Sequence, residues 1–215
     1  LMYGVPSAER FAQVMSNIGV GNHHAVVLYD QFSNMWAARL WWMLRLFGFD
    51  NAAVLNGGWT RWTAEGRATS TQATSYDKAT FVTSLRPSLI ADKAEVLAAT
   101  RTDKTCLINA LIEDEYAGRP PHRYARGGHI PNSVNVPFTL TTDTETQLFA
   151  ADPALEQSFA AVGADKAERV ICYCGGGIAA CSTALALTRL GVNDVAVYDG
   201  SMTEWAADSK LPLVQ

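Results

Sequence analysis

Apolar positions along this chain follow two alternating spacings. At 7–18 they recur at helical intervals and predict an amphipathic helix, and the short apolar run at 25–29 predicts a strand. A loop and a second helix are expected over about 35–48, a strand over 52–55, and a short helix carrying Trp62. The same order returns later: a helix at 153–162, a strand at 170–173, a helix at about 178–191, a strand at 194–198 and a short helix carrying Trp205. The strand 105–110 and the segment 133–136 add further sheet before this second half. Apolar runs of strand length between helix-period segments point to an α/β fold, a parallel sheet wrapped by helices.

The two halves are copies of each other. GFDNAAVLNGGWTRW, from Gly48, aligns without a gap with GVNDVAVYDGSMTEW, from Gly191. VVLYD, ending at Asp30, matches VICYC, ending at Cys174, and PSAERFAQVM from Pro6 resembles PALEQSFAAV from Pro153. A tandem repeat therefore divides the chain into a first copy at 1–66, a Ser-, Thr- and Ala-rich linker at 67–88, and a second copy at 89–215. The first copy lacks a counterpart of the strand around Leu107. Either the chain is a fragment or another chain completes the first domain; a bare sheet edge would invite aggregation, so a truncated first domain is the expectation.

The chain has 215 residues, 48% hydrophobic and 18% charged, which is globular composition. A net charge of −4 argues against nucleic acid or an anionic membrane as partner. Arg39, Arg45, Asp50 and Arg189 interrupt the longest apolar stretches, so none reaches the ~20 residues of a membrane span. The first residues carry neither a basic nor an apolar signal region. Four cysteines, Cys106, Cys172, Cys174 and Cys181, lack the density of a disulfide scaffold, and reduced thiols in a cytoplasm are expected.

The run ICYCGGGIAACSTALALTRLG carries the candidate chemistry: an apolar strand, Cys174, three glycines, then a helix. Gly175, Gly176 and Gly177 allow the backbone to curl so that successive N–H groups point inward. Those donors and the helix N-terminus favour the nucleophilic thiolate, and the missing side chains leave room for a substrate. A Gly-rich turn of this kind also suits a phosphate, and a buried thiol is commonly inert. Cys172, Cys181 and Cys106 read as packing residues, and Cys-x-Cys without a second ligand pair argues against zinc. No metal or organic cofactor is implied.

The loop at 174–179, the preceding RGGHIPNSVNVPF and the following VYDGSMTEW together resemble the tandem-domain rhodaneses, the thiosulfate and 3-mercaptopyruvate sulfurtransferases. The first copy, AARLWWMLRLFGFDNAAVLNGGWTRW, is similar to the inactive N-terminal domain of such tandems. The resemblance implies two rhodanese-like domains, the first incomplete and the second catalytic. It also implies a ping-pong reaction in which Cys174 takes sulfane sulfur from a small-molecule donor, becomes a persulfide, and passes the sulfur to cyanide or a thiol. Backbone amides of Gly175, Gly176, Gly177, Ile178 and Ala179 would then cradle the persulfide anion. In the first copy Asp30 stands in the cysteine's place, followed by QFSNM, so that loop offers no thiol.

Some positions depart from the family's pattern. Gly176 stands where mercaptopyruvate-type loops carry a hydroxyl, Ala179 replaces the final Thr, and the loop has none of the basic side chains common in thiosulfate-type members. Asn109, Ala110 and Leu111 replace the usual Asp-x-Arg, and Glu115 replaces an anion-binding Arg before Tyr116. Anion binding would fall to the loop and to Arg119, Arg123 or Arg126, although all three could equally be solvated. His129 is expected to pack structurally, His23 and His24 to lie at the surface, and Trp36, Trp41 and Trp42 to fill core and interdomain space. Trp205 either walls the cleft or packs. Ala180 occupies the position at which related cysteine phosphatases carry a phosphate-clamping arginine, which argues against phosphatase chemistry. The alternatives are a non-catalytic rhodanese-like scaffold and a protein-to-protein sulfur relay. Nothing in the pattern marks an oligomeric state.

Overall fold

The computed structural model describes residues 4–215, and every strand pair in its two sheets is parallel. Helix α1 (Ala8–Asn17) begins where the Ser7 hydroxyl accepts a hydrogen bond from the Arg10 N–H, and it buries Phe11 and Met15. Strand β1 (Val26–Leu28), helix α2 (Met35–Leu46), strand β2 (Ala52–Val54) and helix α3 (Gly58–Ala64) follow. β1 and β2 pair with Val26 opposite Ala52, as a two-stranded sheet.

The larger sheet contains β3 (Ile90–Ala91), β4 (Thr105–Asn109), β5 (Ser133–Asn135), β6 (Arg169–Tyr173) and β7 (Val195–Tyr198), in the order β3-β7-β6-β4-β5. Helices α4 (Lys93–Ala99), α5 (Glu113–Tyr116), α6 (Asp152–Ala161), α7 (Ile178–Arg189) and α8 (Ser201–Trp205) connect and flank these strands. Leu107, Ile108, Val170, Ile171 and Val197 have no exposed surface, as in a parallel sheet covered on both faces.

The repeat is visible in three dimensions. β1 and β2 occupy the places of β6 and β7, and α2 corresponds to α7. β6 has β4 on its far side, whereas β1 pairs only with β2 among the described residues and leaves Val27 and Tyr29 exposed. The equivalent helices α2 and α7 pack on each other. α7 can approach closely because it is built from small residues, with Ala180, Cys181, Ser182, Thr183 and Ala184 all buried. α2 contributes Trp41 and Trp42 to this core, the latter donating its indole N–H to the Leu89 carbonyl at 3.0 Å. Trp36 departs from the expectation: it sits on the first turn of α2 and is exposed.

Residues 67–86 contain no helix or strand. Their second part is nevertheless tied to the first copy, with Ala79 bonded to Ser16, Ser84 to Phe47 and Arg86 to Leu46 through backbone hydrogen bonds of 3.0, 2.9 and 2.8 Å. Phe81 is buried against Phe11 and Phe49. β3, α4 and α5 were not expected from the apolar spacing. For α4 a signal existed, since Asp92 caps the Glu95 N–H at 2.8 Å. No helix among the described residues is long and apolar enough to cross a membrane.

Candidate active site

Cys174 follows the last residue of β6, and the turn that carries the chain into α7 is formed by the three glycines. Three carbonyls of this turn are held by the protein behind it. Cys174 O accepts from the Met202 N–H at 3.0 Å, and Gly175 O accepts from the Thr203 N–H at 2.9 Å and the Thr203 hydroxyl at 2.6 Å. Gly177 O accepts from the Cys181 thiol at 3.0 Å and from Arg39 Nη1 at 3.3 Å. The Cys174 N–H is itself bonded to Ser201 Oγ at 3.1 Å. With the carbonyls held by the start of α8 and by Arg39, the N–H groups of residues 175–180 are left without a protein acceptor among the described residues. Such a run of unpaired donors at a helix start is an anion cradle.

Glycine is required at position 177, and at 175 it leaves room for a neighbouring side chain. Gly177 has φ +79°, and a Cβ there would come within 2.9 Å of Asp199 Oδ1. A Cβ on Gly175 would come within 2.1 Å of the Tyr124 hydroxyl oxygen.

The first copy gives an internal control. Its loop bends around Asp30, whose carboxylate accepts from the N–H groups of Phe32 at 2.8 Å, Asn34 at 3.1 Å and Ala37 at 2.8 Å. Gln147 Oε1 takes the Ser33 N–H at 2.9 Å. The donors of this loop are consumed by the protein's own groups, whereas those after Cys174 are not.

Arg39 on α2 reaches from the first copy to the underside of the second copy's loop. Its Nη2 lies 2.5 Å from Asp199 Oδ1, and both side chains are buried. Asp199 Oδ2 also accepts the Val5 N–H at 2.9 Å. Sequence reasoning saw Arg39 only as a charge interrupting an apolar helix, which was the available signal, since a buried arginine requires a partner.

The other thiols sit in different surroundings. Burial pushes Cys106 up to about 11, Cys181 up to about 12 against the opposing pull of Arg39, and Cys172 well above the ordinary thiol range. They remain protonated near neutrality and act as packing groups. All four cysteines are free, and Cys174 itself is nearly covered, with 3% of its surface accessible.

Of the three arginines expected to draw in a donor, Arg119 and Arg123 line one small pocket with Glu115 and Tyr124, and Arg126 turns away to the chain after α8. Arg119 pairs with Asp114 on the exposed rim. Arg123 pairs with Glu115 at 3.0 Å and is also exposed, so the acid that replaces the family's arginine holds a neighbouring arginine in turn. Arg126 is placed differently from the other two. Its guanidinium donates to the carbonyls of Ala206, Leu211, Trp205 and Asp208 at 2.9, 3.0, 3.2 and 2.8 Å, which staples the chain after α8 and commits its donors to the protein itself. Arg126→Ala orphans these acceptors and should destabilise the protein by about 3 kcal/mol. Arg119→Ala and Arg123→Ala should stay within about 0.5 kcal/mol of wild type. Urea titration of the three variants checks this ranking.

Other expectations are settled by packing. His129 stacks on Tyr116, with ring centroids 3.8 Å apart, and its Nδ1 meets Tyr116 O at 2.9 Å. Trp205 is fully buried, its indole bonded to Pro212 O at 2.8 Å, so it packs and does not wall a cleft. Asn109 is buried and accepts the Leu111 N–H at 2.7 Å, a turn that orders the end of β4. Tyr124, Ser201 and Thr203 were not anticipated as parts of the site, because their contacts with the loop come from distant segments.

The family profile described as the rhodanese-like domain matches residues 2–65 and 117–208. Thiosulfate sulfurtransferase of Rattus norvegicus is 35% identical over 206 residues, covering 94% of this chain and 69% of the rat protein. A crystal structure of the 3-mercaptopyruvate sulfotransferase SseA from Escherichia coli superposes with a TM-score of 0.82 at 28% identity, covering 92% of this chain and 74% of that one. An anaerobic ergothioneine biosynthesis enzyme from Chlorobium limicola, in complex with trimethyl histidine, superposes with a TM-score of 0.87 at 22% identity. That likeness covers 99% of this chain and 56% of the other, and it shows a common fold.

Proposed function

The chain belongs to the rhodanese-like domain family, and from that premise we propose that it is a sulfurtransferase working through a persulfide on Cys174. The observation that carries this reading is the contrast between the two copies. One loop encloses a carboxylate of its own, and the other presents the corresponding donors around a thiol. A bound anion is what the second loop is built to receive.

With thiosulfate as donor, the Cys174 thiolate attacks the outer sulfur. A new S–S bond forms, the bond to the sulfonate sulfur breaks, and its electron pair leaves with sulfite. The outer sulfur remains on Cys174 as Cys–S–S⁻, and the amides of Gly175, Gly176, Gly177, Ile178 and Ala179 stabilise its charge. Cyanide or a thiolate then attacks that sulfur and restores the Cys174 thiolate. 3-Mercaptopyruvate needs, in addition, a proton delivered as pyruvate forms. Gly176 offers no hydroxyl, and the Thr203 hydroxyl is committed to Gly175 O. Thiosulfate is therefore the better matched donor. Arg119 and Arg123, exposed beside Tyr124, are the candidate attractors, since Arg126 is committed to backbone carbonyls.

A scaffold without chemistry is not favoured, since it would have no use for a covered thiol within a run of free donors, and a protein-to-protein relay is not favoured either. The division into 1–66, 67–88 and 89–215 and a cytoplasmic location with reduced thiols are part of the same proposal. The test is a thiocyanate-forming assay with each donor and cyanide. Turnover should be higher with thiosulfate, and no turnover with either donor would refute the reading.

A further inference from the structure

We infer that Tyr124 is a catalytic residue of this site, its hydroxyl roofing the loop above Gly175 and donating a hydrogen bond to the outer sulfur of the Cys174 persulfide. This inference rests on the sulfurtransferase reading and adds a donor from outside the loop.

Three observations support it. The phenol lies directly on Gly175, since a Cβ at that residue would meet the Tyr124 hydroxyl oxygen at 2.1 Å and its ring carbon at 3.0 Å. The hydroxyl also has no hydrogen-bond partner among the described residues. The other covered tyrosines all have one: Tyr116 bonds Ser133 O, Tyr173 bonds Ser133 Oγ, and Tyr198 bonds Glu204 Oε2, each at 2.6 Å. A half-buried phenol normally finds a partner, so an unpaired one beside a nucleophile marks the place of a ligand atom.

The third observation is rigidity. The segment carrying Tyr124 is anchored two residues further on by the four carbonyl bonds of Arg126. A donor held in this way loses little freedom when its acceptor arrives. Glu115, Arg119, His122 and Arg123 line the same pocket as Tyr124, and Glu115, Cys174 and Arg123 act on its phenol electrostatically. Burial, reinforced by Glu115 and Cys174, pushes its phenol up to about 12, so it stays a donor wherever a thiolate can react. The outer persulfide sulfur would carry its negative charge one bond beyond Sγ, a charge for the loop amides and this hydroxyl to share.

The test uses the reversible first half-reaction. Wild type and Tyr124→Phe are loaded with thiosulfate and titrated with sulfite, and persulfide is read as one added sulfur by intact mass spectrometry. Phenylalanine keeps the ring over Gly175 and removes only the donor. The sulfite concentration that discharges half of the persulfide should fall about tenfold in Tyr124→Phe, the scale of one charge-assisted hydrogen bond. The thermal midpoint and the iodoacetamide alkylation rate of unloaded Cys174 should stay close to wild type. Equal sulfite midpoints in the two proteins would overturn the role of Tyr124, as would an alkylation rate that fell by the same factor. If wild type never takes up sulfur, the sulfurtransferase reading fails together with this one. A loaded wild type with equal midpoints sinks the Tyr124 role alone.

Discussion

Arg39→Met should lower the stability of the whole protein by about 3–5 kcal/mol and its melting point by roughly 10 °C, a loss that differential scanning calorimetry would register. The reason is the Asp199 carboxylate. It is held in a buried position by the arginine and the Val5 N–H, and removing the guanidinium leaves an uncompensated charge inside the protein. Asp199→Asn combined with Arg39→Met should recover much of the loss, because the pair can be neutralised together at far lower cost than either partner alone. Arg39 also donates to Gly177 O, so the single variant should lose turnover even at temperatures where it stays folded. Arg39 is thus a positioning residue supplied by the copy that has no catalytic thiol. Stability unchanged in Arg39→Met would mean that the two copies are held together by something other than this ion pair.

Cys174→Ser should reduce thiocyanate formation by at least about a thousandfold while changing stability by less than about 1 kcal/mol. A serine hydroxyl at neutral pH is a weak nucleophile toward sulfur, and no general base adjoins residue 174 among the contacts of the loop. The substitution keeps nearly the same volume, and the hydroxyl can accept a hydrogen bond from the unpaired loop amides. Serine substitutions at Cys106, Cys172 and Cys181 provide the contrast: their thiols are held protonated by burial, so their effect should appear in stability and leave the chemical step largely intact. Steady-state assays of the four variants separate these outcomes.

Much of this architecture was legible in the order of residues because the repeat states it twice. Helical spacing before an apolar run, repeated in both halves, predicted α1, β1, α2 and β2 and their counterparts to within a few positions. The Cys174 turn was legible as well, since three glycines between a strand and a helix have few other uses. What escaped was whatever depends on distant segments meeting. Arg126 read as a free cation in a polar loop, and only the fold reveals that the chain after α8 presents four carbonyls to it. Tyr124 gave no signal because its proposed role depends on the absent side chain of Gly175, 51 positions along the chain. β3 was missed because two residues are too few to show a period, and α5 because one turn is too short.

The most direct measurement is the intact mass of the protein after incubation with thiosulfate and removal of excess donor. The account predicts one added sulfur atom on wild type, located on the Cys174 peptide, absent from Cys174→Ser and removed by cyanide with release of thiocyanate. Sulfur that remains bound in Cys174→Ser, or a folded wild type that gains none, would contradict it.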